Sequence, residues 1–338
     1  MNKLFTLLTL ISAFTMNAQI STNGTNNSGT YSSALGYQTT ASGNYSTAMG
    51  YQTTASESYC TAMGYVTTAS GSTSTSMGVN TTASGDGSTA MGNQTIAGGN
   101  NSTAMGANTL ASGEVSTAMG YATTASGSSS IAMGLSTTAN GNNSTAMGIS
   151  TTASGSVSTA TGRSTTASDY GSTVIGQYNS SGSSVTNSAT SFSTSNTAFV
   201  IGNGTSGNLS DAFKVMFNGD ATISNDLTVA GDVEVQSDER LKSNIESLGS
   251  TLTKLLQLDG KSYELKGKQK IGLLAQDIQG VFPELVSKNE SEILAVNYQG
   301  LIPVLINAMK EQQGKIDNYQ KEVIELKAMV QKLMKRDK

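Results

Sequence analysis

A glycine recurs every fourteen residues, at Gly36, Gly50, Gly64, Gly78, Gly92, Gly106, Gly120, Gly134, Gly148, Gly162 and Gly176. Eleven glycines in strict phase, with no insertion between them, restrict the fold to one structural unit repeated and stacked on itself. The unit reads approximately S-T-A-M-G-Y-Q-T-T-A-S-G-N-N. Its Thr-rich segments suit strands, and the Gly, Asn and Ser between them suit tight turns. Two short strands and two turns fill fourteen residues, so the expectation is a solenoid with one unit per coil. At a strand separation of about 4.8 Å the array is roughly 50 Å long. The polar, low-complexity composition alone would suggest disorder; the strict phase argues against it.

The apolar row Leu35, Met49, Met63, Met77, Met91, Met105, Met119, Met133, Met147 and Ile175, interrupted by Thr161, is expected to stack as an inward ladder. The alanine row from Ala41, Ala55 and Ala69 to Ala167 is expected below it. So few apolar side chains per coil bury little area against the backbone entropy they must offset. A lone chain is therefore marginal, and three chains around a shared axis are the expected solution. The unit resembles the head of trimeric autotransporter adhesins, a left-handed parallel β-roll with N-S-V-A-I-G repeats. Here S-T-A-M-G, and S-T-V-I-G at 172–176, occupy that place, with Thr for Val and Met for Ile.

Charge and composition exclude several functions. Between Ile20 and Val200 only Glu57, Asp86, Glu114, Arg163 and Asp169 are charged, and the formal net charge of −4 argues against nucleic acid, which needs a basic surface. The repeats lack the Asp-bearing pattern of calcium-binding β-rolls, so no metal is expected, and nothing calls for a cofactor. Histidine is absent, which removes Ser-His-Asp triads, Cys-His pairs and histidine metal sites. Cys60 is the only cysteine and stands where most repeats have Ser, so it reads as an inert small residue. At the N-terminus, Lys3, the apolar run from Leu4 to Phe14 and Met16-Asn17-Ala18 read as a secretory signal peptide cleaved after Ala18. That run is too short to span a bilayer, so no transmembrane anchor is expected and the mature protein is secreted or at the cell surface.

After the array comes a Ser/Thr/Asn linker over 180–197, then Ala198–Gly202, a repeat-like strand out of phase. From Phe213 a turn-punctuated alternation suggests a small β neck ending at Gln236. The next residues, Ser237-Asp238-Glu239-Arg240-Leu241-Lys242, place a hydroxyl and an amine five positions apart. Ser237 could attack the carbonyl of Gln236 with Lys242 as base. The bland reading is a helix start, with Ser237 as cap and the acids at the positive end of the dipole. A five-residue offset does not bring two side chains together on a regular helix. The chemistry therefore needs a non-helical start or a lysine from a neighbouring protomer, and burial to favour the neutral amine.

The run S-D-E-R-L-K-S-N-I at 237–245, followed by K-S-Y-E-L-K (261–266), I-G-L-L-A-Q-D-I (271–278), V-F-P-E-L-V (281–286) and V-N-Y-Q-G-L-I-P-V-L-I-N-A-M-K-E-Q (296–312), resembles the intramolecular chaperone of phage endosialidases and tail fibres, the peptidase S74 family. That resemblance implies a domain that trimerises, assists assembly of the fibre ahead of it and releases itself. It implies Ser237 as nucleophile, Lys242 as general base and Gln236–Ser237 as the scissile bond. Helical spacing is expected over 241–258, strands at 263–265 and 271–274, and a short helix at 276–280. A final helix from about Gly300 carries the seam Ile302, Leu305, Met309, Gln312, Ile316, Tyr319, Val323, Leu326, Val330 and Leu333, a heptad pattern. Its polar Gln312 and Tyr319 favour a bundle wider than a tight dimer.

The expected organisation is a signal peptide (1–18), a β-roll head (19–180), a linker and β neck (181–236), an α+β chaperone and autoprotease domain (237–300) and a coiled-coil helix (301–338). The expected function is a secreted homotrimeric fibre or adhesin-like protein that cuts itself once, in cis. Two readings stand beside it. One is a structural surface protein with a permanent trimerisation domain. The other is a β-roll that binds glycan, a cell-surface ligand or ice.

Overall fold

In the computed structural model, which describes residues 22–288 and 292–336, the chain divides into two compact units at Gly231–Asp232. Residues 1–18, expected to be a signal peptide, lie outside the described residues.

Every coil of the first unit is built alike. A five-residue strand such as Thr47–Tyr51 is followed by a two-residue strand, Thr54–Ala55. Between them sits one left-handed residue, Gln52 (φ 53°), and a second, Tyr59 (φ 59°), turns the chain into the next coil. Each strand pairs in parallel with its copy fourteen residues on: Thr47 with Thr61, Met49 with Met63, Gly50 with Gly64, and Thr54 with Thr68. The long strands form one sheet and the short strands a second.

The interior differs from the expected one. Ala48, Ala62, Ala90 and their copies are fully buried, as are the second alanine row (Ala41, Ala55, Ala69) and the threonine row (Thr39, Thr53, Thr67). The methionines face outward, with Met49 39% and Met119 37% exposed. The reason is the two-residue period of a strand: Ala48 and Met49 are adjacent, so only one can face in. The two sheets lie close enough for Ala, Ser and Thr, and Ala48 takes the inner place. Cys60 sits in the buried serine row, and its Sγ reaches the Glu57 carbonyl at 2.8 Å, as Ser46 Oγ reaches that of Gly43 at 2.7 Å. Burial pushes the Cys60 thiol above its ordinary range.

The glycine row sets how closely coils stack. Gly106 has φ 121°, and a Cβ there would lie 2.0 Å from the carbonyl oxygen of Gly120. A second glycine row, Gly43, Gly71 and onward to Gly155, meets the next coil in the same way. Glu57 holds one place within that row and Asp169 the last, where no ordinary coil follows. The buried Asp169 carboxylate accepts the Thr186 N–H (2.6 Å) and the Thr197 N–H (2.8 Å). The side-chain amide of Asn179 pairs with both the N–H and the C=O of Thr166, at 2.8 and 2.9 Å, as a further strand would. Asp211 receives the N–H groups of Ser180 and Ser181.

The linker thus closes the end of the interior, and the out-of-phase strand is structurally in phase. Thr197–Asn203 stacks in parallel on Thr173–Gln177, Ile201 against Ile175 and Gly202 against Gly176. Asp211–Met216 and Ala221–Ile223 then add antiparallel strands that end the stack.

The second unit has a small core of its own: Ile278, Phe282, Leu285, Leu301 and Val304. Helical structure expected over 241–258 is confined to Leu252–Leu255, because Asn244 and Gly249 take positive φ and interrupt the run. A hairpin, Lys261–Leu265 with Lys268–Gly272, turns on Lys266 and Gly267. The helix Ala275–Val281 and a turn at Pro283–Leu285 follow, with Val286–Lys288 and Leu294–Val296 paired antiparallel. The last helix, Leu301–Arg336, buries Leu301, Val304 and Ala308 in the core. Its heptad seam lies elsewhere: Ile302, Met309, Tyr319, Leu326 and Leu333 are all more than half exposed. From the same helix, Glu311 accepts the Thr251 N–H and the Ser250 hydroxyl, capping Leu252–Leu255.

Two predictions follow from this packing. Gly106→Ala places a methyl on a carbonyl in a left-handed backbone, and should destabilise the head by about 3 kcal/mol or more, read by thermal unfolding. The Thr251 N–H, and then the Ser250 hydroxyl, hold the Glu311 carboxyl below its ordinary range. That contribution is complete above the ordinary glutamate pKa of about 4.3 and is lost as pH falls through the folded value. The midpoint of the second unit in Glu311→Gln should therefore fall less than wild type between neutral and acidic pH.

Candidate active site

The residues from Gln236 to Asp238 belong to no regular element. A single 3-10 turn follows, Glu239–Leu241. Its N-cap is Asp238 rather than Ser237: the Asp238 carboxylate accepts the Arg240 N–H at 2.9 Å. The same carboxylate grips the Arg240 guanidinium at 2.6 Å, and that contact, with the backbone hydrogen bond after it, holds the Asp238 carboxyl below its usual range. With the cap moved one residue on, Ser237 is free of the capping role.

The turn is too short and too tight to carry the α-helical spacing. Lys242 ends it in extended geometry (φ −116°, ψ 149°), its N–H bonded to the Glu239 carbonyl. The chain therefore folds back, and the Lys242 side chain returns over the turn. Lys242 Nζ lies 2.6 Å from Ser237 Oγ and 3.0 Å from the Ser237 carbonyl oxygen. The five-residue offset is bridged within one chain, by a non-helical start.

Gln236, Ser237 and Lys242 are all exposed in the single chain. A hydroxyl and an amine at hydrogen-bond distance can exchange a proton in either direction, but a lysine accepts one only as the free amine, which desolvation favours. The Asp238–Arg240 clamp, which shapes the turn, was not picked out from the sequence. Its signal is the D-x-R spacing directly after the serine.

Residues 237–287 match the family described as chaperone of endosialidase, peptidase S74. The V-N-Y-Q-G-L-I-P run at 296–303 lies beyond that match. Nine matches, from residues 28–53 to residues 153–179, liken the array to the YadA head domain repeat. No curated protein matches the chain. No helix among the described residues is long and apolar enough to cross a membrane. The chain thus presents, in order, an array that matches YadA head repeats and a segment that matches the endosialidase-chaperone, peptidase S74 family.

Proposed function

We propose that this protein is a secreted homotrimeric fibre or adhesin-like head whose C-terminal chaperone unit drives trimerisation and then releases itself between Gln236 and Ser237. The observation that carries the proposal is the 2.6 Å approach of Lys242 Nζ to Ser237 Oγ in a chaperone-type segment.

In the proposed reaction Lys242, as the free amine, takes the hydroxyl proton of Ser237. The oxygen forms a bond to the carbonyl carbon of Gln236. The C–N bond to Ser237 breaks, its nitrogen takes up a proton, and an ester joins Gln236 to the Ser237 side chain. Water hydrolyses that ester, leaving a carboxylate on Gln236 and a free amine and hydroxyl on Ser237. The event is one turnover in cis, with no cofactor and no external substrate.

Two exposed apolar surfaces support the trimer. The first is the methionine row on the outer side of the long-strand sheet, half-buried along most of its length and exposed at Met49, Met119 and Ile175. The second is the heptad seam of the last helix, which its own domain leaves uncovered over a helix of roughly 54 Å. If three chains packed on these surfaces also cover the region of Lys242, cleavage would report assembly.

One observation favours a second reading. Ser237 and Lys242 are exposed in the single chain, and if assembly leaves them so, the chaperone unit stays attached as a permanent clamp. Intact-mass measurement of the purified protein separates the two. The expected result is a fragment ending at Gln236 and one beginning at Ser237, both missing in Ser237→Ala and in Lys242→Ala, with each variant sedimenting as a trimer. An uncut wild-type trimer would establish the clamp. Asp238→Ala, which removes the N-cap and the Arg240 grip, should slow release by about 10- to 100-fold without abolishing it, since it displaces the pair rather than deleting it.

A further inference from the structure

The candidate dyad lies in the middle of an apolar stretch that its own chain leaves exposed. Residues 224–238 belong to no strand or helix. Leu227, Val229, Val233 and Val235 before Ser237, and Leu241, Ile245 and Leu248 after it, are between 44% and 71% exposed. From this arrangement we infer that the extended segment 227–235, packed in parallel on its copies in two other chains, is the cover that closes over Ser237. Val233 and Val235 are then positioning residues for the cut. The inference rests on the trimer and the cleavage proposed above and names the element that gates them.

The first ground is parity. In an extended chain alternate side chains share a face. One face reads Leu227, Val229, Gly231, Val233, Val235 and then Ser237. The other reads Thr228, Ala230, Asp232, Glu234, Gln236 and Asp238. Asp238 is still extended, at φ −63° and ψ 133°, and the 3-10 turn starts only at Glu239. The alternation therefore reaches the nucleophile before the chain turns. Whatever buries the valines takes the Ser237 hydroxyl with it, and Lys242 Nζ, 2.6 Å away, follows. Desolvation of that pair favours the free amine the reaction needs.

The second ground is the partner that the pattern fits, a copy of the same segment. An extended chain, once buried, needs partners for its N–H and C=O groups as well as for its side chains. An identical strand in register supplies both. Each copy is tethered to a head and a helix that are themselves proposed to be trimeric, so it arrives at high effective concentration. Three chains place the valines on the shared axis and turn Asp232 and Glu234 outward to water. Nucleic acid and anionic membranes are repelled by the same acids. Gly231, within the apolar row, lies outside the left-handed range and has open space where a Cβ would stand. Its own chain does not call for glycine there, whereas the close approach of another backbone does. A hinge between the two units would take glycine as well, so the argument stands on the valines and on the parity of Ser237.

Two measurements on the full-length protein test it, and the first needs no cleavage. In a Ser237→Ala, Cys60→Ser background, Val233→Cys should form disulfide-linked pairs of chains on mild oxidation, and Glu234→Cys, on the opposite face, should not. The second follows the rate at which the fragment ending at Gln236 appears. Val229→Asn with Val233→Asn should slow it by at least about tenfold, because each places an amide on the apolar axis. Thr228→Asn with Ala230→Asn, on the outer face, should stay within about threefold of wild type. The conservative pair Val229→Ile with Val233→Ile should cut like wild type. Cross-linking decides the packing even where an asparagine pair disrupts the trimer. The inference is overturned if Val233→Cys and Glu234→Cys cross-link equally, or if the inner and outer asparagine pairs cut at the same rate. An uncut wild-type trimer in which Val233→Cys cross-links and Glu234→Cys does not would overturn the cleavage reading alone and leave the packed neck standing.

Discussion

The stacking of one coil's backbone directly on the next is the constraint from which the rest of the head follows. Strands repeat in register every fourteen residues, and at two glycine rows the carbonyl of one coil occupies the space a Cβ would take on its neighbour. A fourteen-residue coil folded into one five-residue and one two-residue strand encloses an interior only wide enough for Ala, Ser and Thr. Stability within one chain then rests on hydrogen bonds between coils more than on apolar burial, because the buried side chains are among the smallest available. The larger apolar groups are displaced to the outside. A stripe of methionines on an otherwise uncharged surface is the direct consequence, and it gives the trimer proposal its physical basis.

The same constraint explains the ends of the array. A parallel stack has no natural terminus, since its last coil presents unpaired N–H and C=O groups and an open interior. At the C-terminal end the chain supplies substitutes. Asn179 mimics a strand with its side-chain amide, and Asp169 and Asp211 gather the N–H groups of the covering segment. Asp169 holds the last position of the second glycine row and turns its carboxylate to the covering segment. Val174 and Val200 fill the interior where the last coils no longer need the alanine spacing. Antiparallel strands then end the propagation.

Much of this architecture was legible in the sequence. The period, the strand–turn alternation and the uncharged surface follow from the glycine phase and the Thr, Asn and Gly content. Which row faces in was not, because Ala48 and Met49 are both apolar and both periodic, and hydrophobicity favours the larger. The deciding fact is how narrow an interior a fourteen-residue coil encloses, which a hydropathy pattern does not report. The strand at Ala198–Gly202 was visible but misphased, since a covering loop between copies breaks the count without breaking the stack. Likewise, Leu248, Leu252 and Leu255 suggested a longer helix than Asn244 and Gly249 permit. At the candidate site the residue types were legible and their approach was not. A five-residue offset excludes an α-helical pairing, and the 3-10 turn capped by Asp238 is a choice between local geometries that composition does not determine.

That turn also bears on why cleavage, on the proposed reading, would wait for assembly. Local structure in one chain already brings the amine to the hydroxyl, so folding of the pair is not the missing step. What the single chain lacks is exclusion of water: the pair is exposed, and a lysine can take the hydroxyl proton only as the free amine, which desolvation favours. On that reading, covering the turn would favour the free amine with the pair already in place. A reaction gated by desolvation rather than by assembly of its parts would begin when neighbouring chains close over the site. It would also stay silent in a monomer of identical local structure. The gate and the fold are thus separable, which allows the same chaperone unit to act as a permanent clamp when the covering is absent.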